Sequence, residues 1–227
     1  MPIRQQQLPP NLSAALMAAF GRTLSPDRWR TYQIASGFND DLAHRLYLWN
    51  AAIGQSFHFP LQSVEVALRN VVHQALTAEY GVDWPKDQAC QAGLGQYLLS
   101  DIAKAEQRHR RKYGRLPTTP QLVASLSLGF WVSALRSRPF SSTVWKNQLL
   151  TAFPGLTPQE TLRDLGQIGT AIQDLRNRIF HQEPLIGHNL TAEYGAVLKM
   201  LGWICPETRE WTRQNSSVSR VMRERPR

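Results

Sequence analysis

The chain has 227 residues, is 42% hydrophobic, and carries a formal net charge of +9 with a sequence pI near 10.1. That is enough apolar material for one medium domain with a small helical annex, and no apolar run reaches the length a membrane span needs. The stretch Met1-Pro2-Ile3-Arg4-Gln5-Gln6-Gln7 lacks the apolar centre of a secretory signal, and Cys90 and Cys205 stand far apart with no His or Cys at metal spacing, so two free thiols are favoured over a disulfide or a zinc site and the expectation is a cytoplasmic protein with no metal and no cofactor.

In chain order the sequence predicts helices nearly throughout, with no alternating strand pair and no glycine-rich phosphate loop. A first helix follows Pro9-Pro10 with Asn11 as its cap and stops at Gly21. Ser25-Pro26-Asp27 opens a second, a cap followed by proline at the first helical position, ending at Gly37. A third runs from about Asp40 to Gln55 and a fourth from Leu61 to about Tyr80. A connector at Gly81 to Gly93 leads to a fifth, Leu94 to Lys112. After the break at Gly114 to Pro120 comes a strongly apolar helix to Ser137, expected to be central, and then a short one near Ser142 to Ala152. Thr157-Pro158-Gln159-Glu160 reads as a capping box starting a long helix that must end near His181, because Pro184 disfavours helix at Glu183. The last helix spans about Asn189 to Trp203, with a short turn of helix after Pro206. The predicted organisation is an extension over 1–23, one helical domain over 24–213, and a disordered arginine-rich tail over 214–227.

Lysines are 5 of the 26 basic residues, which leaves 21 arginines. Arginine forks onto phosphate and stacks on bases, so this balance favours a nucleic-acid partner. The densest basic run holds Lys104, Arg108, His109, Arg110, Arg111, Lys112 and Arg115. Arg108, Arg111 and Arg115 share one face if the helix reaches that far, and the run reads equally as a solvated helix end.

The chemistry concentrates in Arg176-Asn177-Arg178-Ile179-Phe180-His181. Ile168, Ile172, Leu175 and Ile179 form a core-facing stripe, while Thr170, Asp174, Asn177 and His181 occupy the polar side. Arg176 and His181 lie about 140° apart on an ideal helix, so they point the same way only if the helix unwinds, the arginine wraps, or a second copy completes the site. Histidine titrates near neutrality and suits acid–base work. On spacing alone, a histidine capping the last carbonyls with arginines on a solvated face is the favoured reading.

Arg-Asn-x3-His at Arg176, Asn177 and His181 resembles the signature of the HEPN superfamily. Further stretches resemble its Abi-like (abortive infection) branch: Leu46-Tyr47-Leu48-Trp49-Asn50, the run Leu61 to Asn70 with Glu65-Val66-Ala67-Leu68-Arg69-Asn70, Tyr80-Gly81 with Trp84, LRNRIFHQEP over Leu175 to Pro184, and Trp203-Ile204 before Pro206. The resemblance covers roughly residues 24–211. It implies an all-α, multi-helix HEPN-like bundle with additional helices, a homodimer, and a metal-independent endoribonuclease or a non-catalytic RNA- or nucleotide-binding module. Relatives often carry a second histidine where this chain has Gln182.

On that resemblance His181 is the proton carrier, Arg176 stabilises charge, and Asn177 orients the histidine or a phosphate oxygen. Apart from the resemblance, the basic residues Arg69, Arg178, Arg108 and Arg111 are the candidates to hold RNA, with Glu65 and Asn70 as supporting residues of the same cleft. Partners would be RNA, a second copy of the chain, and an antitoxin or phage-derived trigger, with no membrane. Glu65 and Arg69, four apart in the favourable order, read first as a structural ion pair. Arg69-Asn70-Val71-Val72-His73 is a shortened echo of the main motif.

Overall fold

The computed structural model describes residues 14–227, with side chains from residue 19 onward, so the expected Asn11 cap lies outside the described residues. Among these it is all-α: twelve α-helices, one 3-10 turn at Trp84–Lys86, and no strand. The helices are α1 (Ala14–Thr23), α2 (Pro26–Ala35), α3 (Asp40–Tyr80), α4 (Gln88–Tyr113), α5 (Thr119–Ser125), α6 (Leu128–Leu135), α7 (Arg138–Ser142), α8 (Val144–Ala152), α9 (Leu162–Phe180), α10 (Leu190–Ile204), α11 (Pro206–Asn215) and α12 (Val218–Arg223). No helix of the described residues is long and apolar enough to cross a membrane.

Several local starts follow the sequence directly. The Ser25 hydroxyl accepts from the Arg28 amide, with Pro26 in the first turn of α2. Helix α9 ends at Phe180 with His181 as its C-cap, and α10 begins after Asn189, whose side chain accepts from the Ala192 amide. The apolar segment expected at the centre is buried: Leu128, Phe130, Trp131, Val132, Ala134 and Leu135 are all at most 1% exposed.

Elsewhere the elements differ from expectation for identifiable reasons. The two helices expected on either side of Pro60 are one helix of 41 residues, α3. A proline inside a helix costs about 3 kcal/mol. Ile53, Phe57, Leu61, Val64 and Leu68, all at most 2% exposed, continue the buried face through the proline, and burying each contributes about 1.5–3 kcal/mol. The long helix expected from Pro120 is split into α5 and α6 because Ser127 caps a new start, its hydroxyl accepting from the Phe130 amide. Helix α4 starts six residues earlier than expected, capped by Asp87, and is broken at Gly95, whose φ is 72°.

The capping box expected at Thr157 closes only as a turn, with the Thr157 amide donating to Glu160 Oε2 at 3.1 Å. Helix α9 begins four residues later on a second box, in which the Thr161 amide donates to Asp164 Oδ2 at 2.8 Å. Glu160 instead joins α10, taking the Trp203 indole N–H at 2.7 Å and pairing with Lys199 at 2.9 Å. The tail expected to be disordered carries α12. Val218 and Val221, three apart, are 0% and 6% exposed, which gives this arginine-rich segment an apolar face.

The chain divides into two compact units. Among the described residues the first comprises 14–56, 183–188 and 217–227. It holds an aromatic cluster of Phe20, Trp29, Tyr32 and Tyr47. In the same unit the Trp49 indole donates to the Val221 carbonyl at 2.8 Å, and Asn50 Oδ1 accepts from the Leu185 amide at 2.6 Å. The second unit comprises 57–182 and 189–216. In it α6 packs on α9 and α4, and α10 on α9 and α11. Both cysteines are free, and burial, with Asp87 adding to it, pushes the Cys90 thiol up to about 12, which leaves it inert.

Candidate functional site

Helix α9 carries the Arg-Asn-x3-His stretch, and its amphipathic pattern sets the orientation. Ile172 and Leu175 are buried at 1% and 2% exposure, while Ile168 and Ile179 are half-buried. This stripe fixes the rotation of the helix, so Asp174 and His181 fall on the exposed side. The His181 amide donates to the Asn177 carbonyl at 2.8 Å, and Gln182 follows in the left-handed conformation with φ 58° that ends many helices.

Arg176 points elsewhere. It enters a groove of about 250 Å³ lined from α3 by His58, Leu61, Gln62, Glu65, Val66 and Arg69, and from α9 by Arg176 and Phe180. Arg176 Nε lies 3.6 Å from Glu65 Oε2, and its guanidinium lies 4.2 Å from the centre of the Phe180 ring, one helical turn on. The Phe180 ring is 50% exposed and also meets the His58 imidazole, with ring centres 6.2 Å apart. Two guanidinium groups, one carboxylate and one imidazole therefore share a small groove with an exposed aromatic wall. Arginines are the side chains that fork onto phosphate and an imidazole is one that can exchange a proton, so the set is chemically suited to a phosphate-bearing ligand.

Of the residues expected at the site, Arg176, Arg69 and Glu65 come together. Asn177, Arg178, Asn70 and His181 are not among those lining the groove; His181 and Asn70 are exposed, and Asn177 and Arg178 are half-buried. The separation of Arg176 and His181 expected from helical geometry is thus what the fold displays. Arg108 and Arg111 are exposed on α4, which contributes nothing to the groove. Their expected alignment with Arg115 does not form, because Gly114, at φ 71°, caps α4 in the left-handed conformation and ends the helix before that residue.

His58 was not among the expected site residues. Its signal is present: His58, Gln62, Glu65 and Arg69 follow steps of four, three and four, a single helical face once α3 is continuous through Pro60. His73, the end of the shortened echo, is a half-buried histidine with a structural partner. Its Nδ1 accepts the Trp84 indole N–H at 3.0 Å, and burial lowers its proton affinity below the ordinary value.

A scan against models of protein families, a search of curated proteins and a search of solved structures each returned no match for this chain.

Proposed function

We propose that this protein is a metal-independent endoribonuclease of the abortive-infection or toxin type, of the HEPN, Abi-like kind, acting in the cytoplasm as a homodimer. The observation that carries the reading is the groove in which Arg176 and Arg69 stand beside the His58 imidazole, with the His181 ring exposed one residue beyond Phe180. The reaction needs a base to take the proton of an RNA 2′-hydroxyl as that oxygen bonds to the adjacent phosphorus. It needs an acid to protonate the 5′-oxygen as the phosphorus–oxygen bond breaks, and a cation on the phosphorane. Arg176 supplies the cation, Arg69 holds the strand, and Asn177 orients His181. His181 is the proton carrier. Because it lies outside the groove of its own chain, it reaches the phosphate held by Arg176 of a second copy, and two-fold pairing generates two such composite sites. An antitoxin or a phage-derived trigger is the partner class that would restrain or release this activity.

The test is cleavage of RNA by purified protein in EDTA. Wild type gives 2′,3′-cyclic phosphate and 5′-hydroxyl ends, and Arg176→Ala and His181→Ala give neither. Equal cleavage by His181→Ala ends the assignment. A second reading, an RNA- or nucleotide-binding module without catalysis, is favoured by one observation, the absence of His181 from the groove lining. It predicts that wild type and His181→Ala bind RNA alike and that neither cuts.

A further inference from the structure

A second groove, of about 690 Å³, lies along the N-terminal half of α9, bounded by the end of α6 and by α7. Arg136, Arg138, Ser141, Arg163, Gln167 and Thr170 line it, and none of its lining residues is acidic. Among the described residues the Arg138 and Arg163 side chains, both exposed, make no ion pair or hydrogen bond, so their guanidinium groups are available to a ligand. Arg136 is held in place. Its Nη1 donates to the Thr170 hydroxyl at 3.1 Å, and that hydroxyl donates to the Gly166 carbonyl at 2.9 Å. Gly166 makes room for it, since a Cβ there would stand 2.9 Å from Arg136 Cγ.

Helical geometry connects this groove with the reactive stretch. Arg163, Thr170 and Asn177 recur at intervals of seven, and His181 follows four later, so all four share one face of α9. From Thr170 to His181 is eleven residues, about 16 Å of helix at ~1.5 Å per residue. Stacked nucleotides rise about 3.4 Å each, so roughly five of them cover that length.

We propose that the groove formed by Arg136, Arg138 and Arg163 is a track for the phosphodiester backbone of a single-stranded RNA, which leaves it along the α9 face that ends at His181. Three arginines without an acid are what a chain of phosphates requires, and the track reads no base. The choice of RNA over another polyanion rests on the nuclease reading above; the cluster of cations does not. Asp174, exposed on the same face, opposes a passing strand.

The test uses the full chain and fluorescently labelled, fully 2′-O-methylated RNA, which cannot be cut by 2′-hydroxyl attack. Anisotropy titrations across salt give the affinity and its salt slope. The triple variant R136Q/R138Q/R163Q is expected to bind a 12-nucleotide strand at least tenfold more weakly, with a salt slope smaller by about 2, given ~0.7 per neutralised phosphate on a single strand. The triple Arg→Lys variant keeps the slope. Gly166→Ala, which displaces Arg136 without removing charge, weakens binding by less than Arg136→Gln, and Asp174→Asn tightens it. A 4-nucleotide strand loses most of the affinity that separates wild type from the triple Gln variant. An unchanged slope in a triple Gln variant with wild-type circular dichroism and melting temperature overturns the track. So does AMP competing as strongly as the 12-nucleotide strand, which would make the groove a nucleotide pocket. The two readings fail separately: protein that binds the strand but never cuts RNA defeats the nuclease and leaves the track, whereas cleaving protein whose slope survives the triple substitution defeats the track alone.

Discussion

Arg176 Nε lies 3.6 Å from Glu65 Oε2, with both side chains 28% exposed. At that distance the two are Coulombic partners without a hydrogen bond, and the Nε is itself sealed from solvent with no hydrogen-bond partner among the described residues. Glu65 offsets the Arg176 charge without a hydrogen bond to lock it, so it competes with any anion that approaches the rest of the guanidinium. Glu65→Gln is therefore expected to lower stability by about 1 kcal/mol, between the values for surface and buried pairs, while raising affinity for a phosphate-bearing ligand. Arg176→Ala should reduce RNA cleavage by about 10²–10³-fold, as removal of a transition-state donor does elsewhere. Arg176→Lys restores charge but not the fork, and recovers only part of that loss. Urea titration and initial cleavage rates measure the two effects.

The placement of Arg176 and His181 on different faces makes a mixing experiment decisive. On the proposed dimeric nuclease, Arg176→Ala and His181→Ala are each expected to retain at most about 1% of the activity alone. Mixed in equal amounts and allowed to exchange subunits, half the dimers are mixed and each of those holds one intact composite site, so about one quarter of wild-type activity returns. A site built within one chain would show no recovery. His58→Ala, removing the imidazole inside the groove, is expected to slow cleavage by about 10²-fold if that ring assists proton transfer. The loss falls on kcat with RNA affinity retained, a split that a merely packing role would not produce.

How far the sequence disclosed this site depended on the kind of information each residue carried. The all-α architecture and the end of α9 were legible because apolar periodicity and a downstream proline act locally. The 140° between Arg176 and His181 was legible for the same reason, since it follows from 3.6 residues per turn. His58 was hidden by Pro60. Local chemistry says that proline interrupts a helix, and only the tertiary burial of Phe57, Leu61 and Val64 overrides it. The Arg136–Arg138–Arg163 groove was hidden because Arg136, the C-cap of α6, and Arg138, the first residue of α7, are joined to Arg163 of α9 only by packing, with nothing in spacing to signal it. Helix α12 was hidden because the polar residues that dominate 214–227 obscure two valines whose partners are distant in the chain.

That last helix can be tested by truncation. Deleting residues 217–227 removes Val218 and Val221 from the interior and takes the Val221 carbonyl from the Trp49 indole. Arg225, 5.3 Å above the Trp49 ring, is lost with them. Two buried valines contribute at most about 3–5 kcal/mol together, an upper figure because unfolded chains are not fully extended. The truncated protein is expected to melt at least 5 °C lower, by about 4–8 °C per kcal/mol in small domains and less in larger ones. A disordered tail would leave the melting temperature where it was.

Glu160 gives an acid-linked effect of defined sign. The Thr157 backbone N–H above all, then Lys199 and the Trp203 indole, hold its carboxyl down to about 2. The folded value lies below the ordinary glutamate value of ~4.3, so the folded state favours the carboxylate. The contribution is complete above about pH 4.3 and is lost as the pH falls toward 2. Glu160→Gln should destabilise the protein at pH 6, and the difference from wild type should shrink steadily between pH 4 and pH 2. Urea midpoints across that range decide it; a difference constant with pH would show that the carboxylate's charge contributes nothing.

His73 works in the same direction in a different window. Its Nδ1 accepts the indole N–H of Trp84, a side chain with no solvent exposure, so the neutral ring must carry its proton on Nε2. A second proton would go onto Nδ1, where it meets the indole donor head-on, and burial already lowers the ring's proton affinity. With the folded value depressed below the unfolded ~6.5, the stabilisation is present above that pH and declines as the pH drops below it. His73→Phe leaves the Trp84 N–H buried without an acceptor, which costs about 1–3 kcal/mol at pH 7. His73→Asn, whose side-chain oxygen can replace Nδ1, should recover part of this and also remove the decline in stability below pH 6.5. Unfolding followed by tryptophan fluorescence at pH 5.5 and 7.5 separates the three proteins; if His73→Asn keeps the full wild-type pH dependence, the titrating group is not this imidazole.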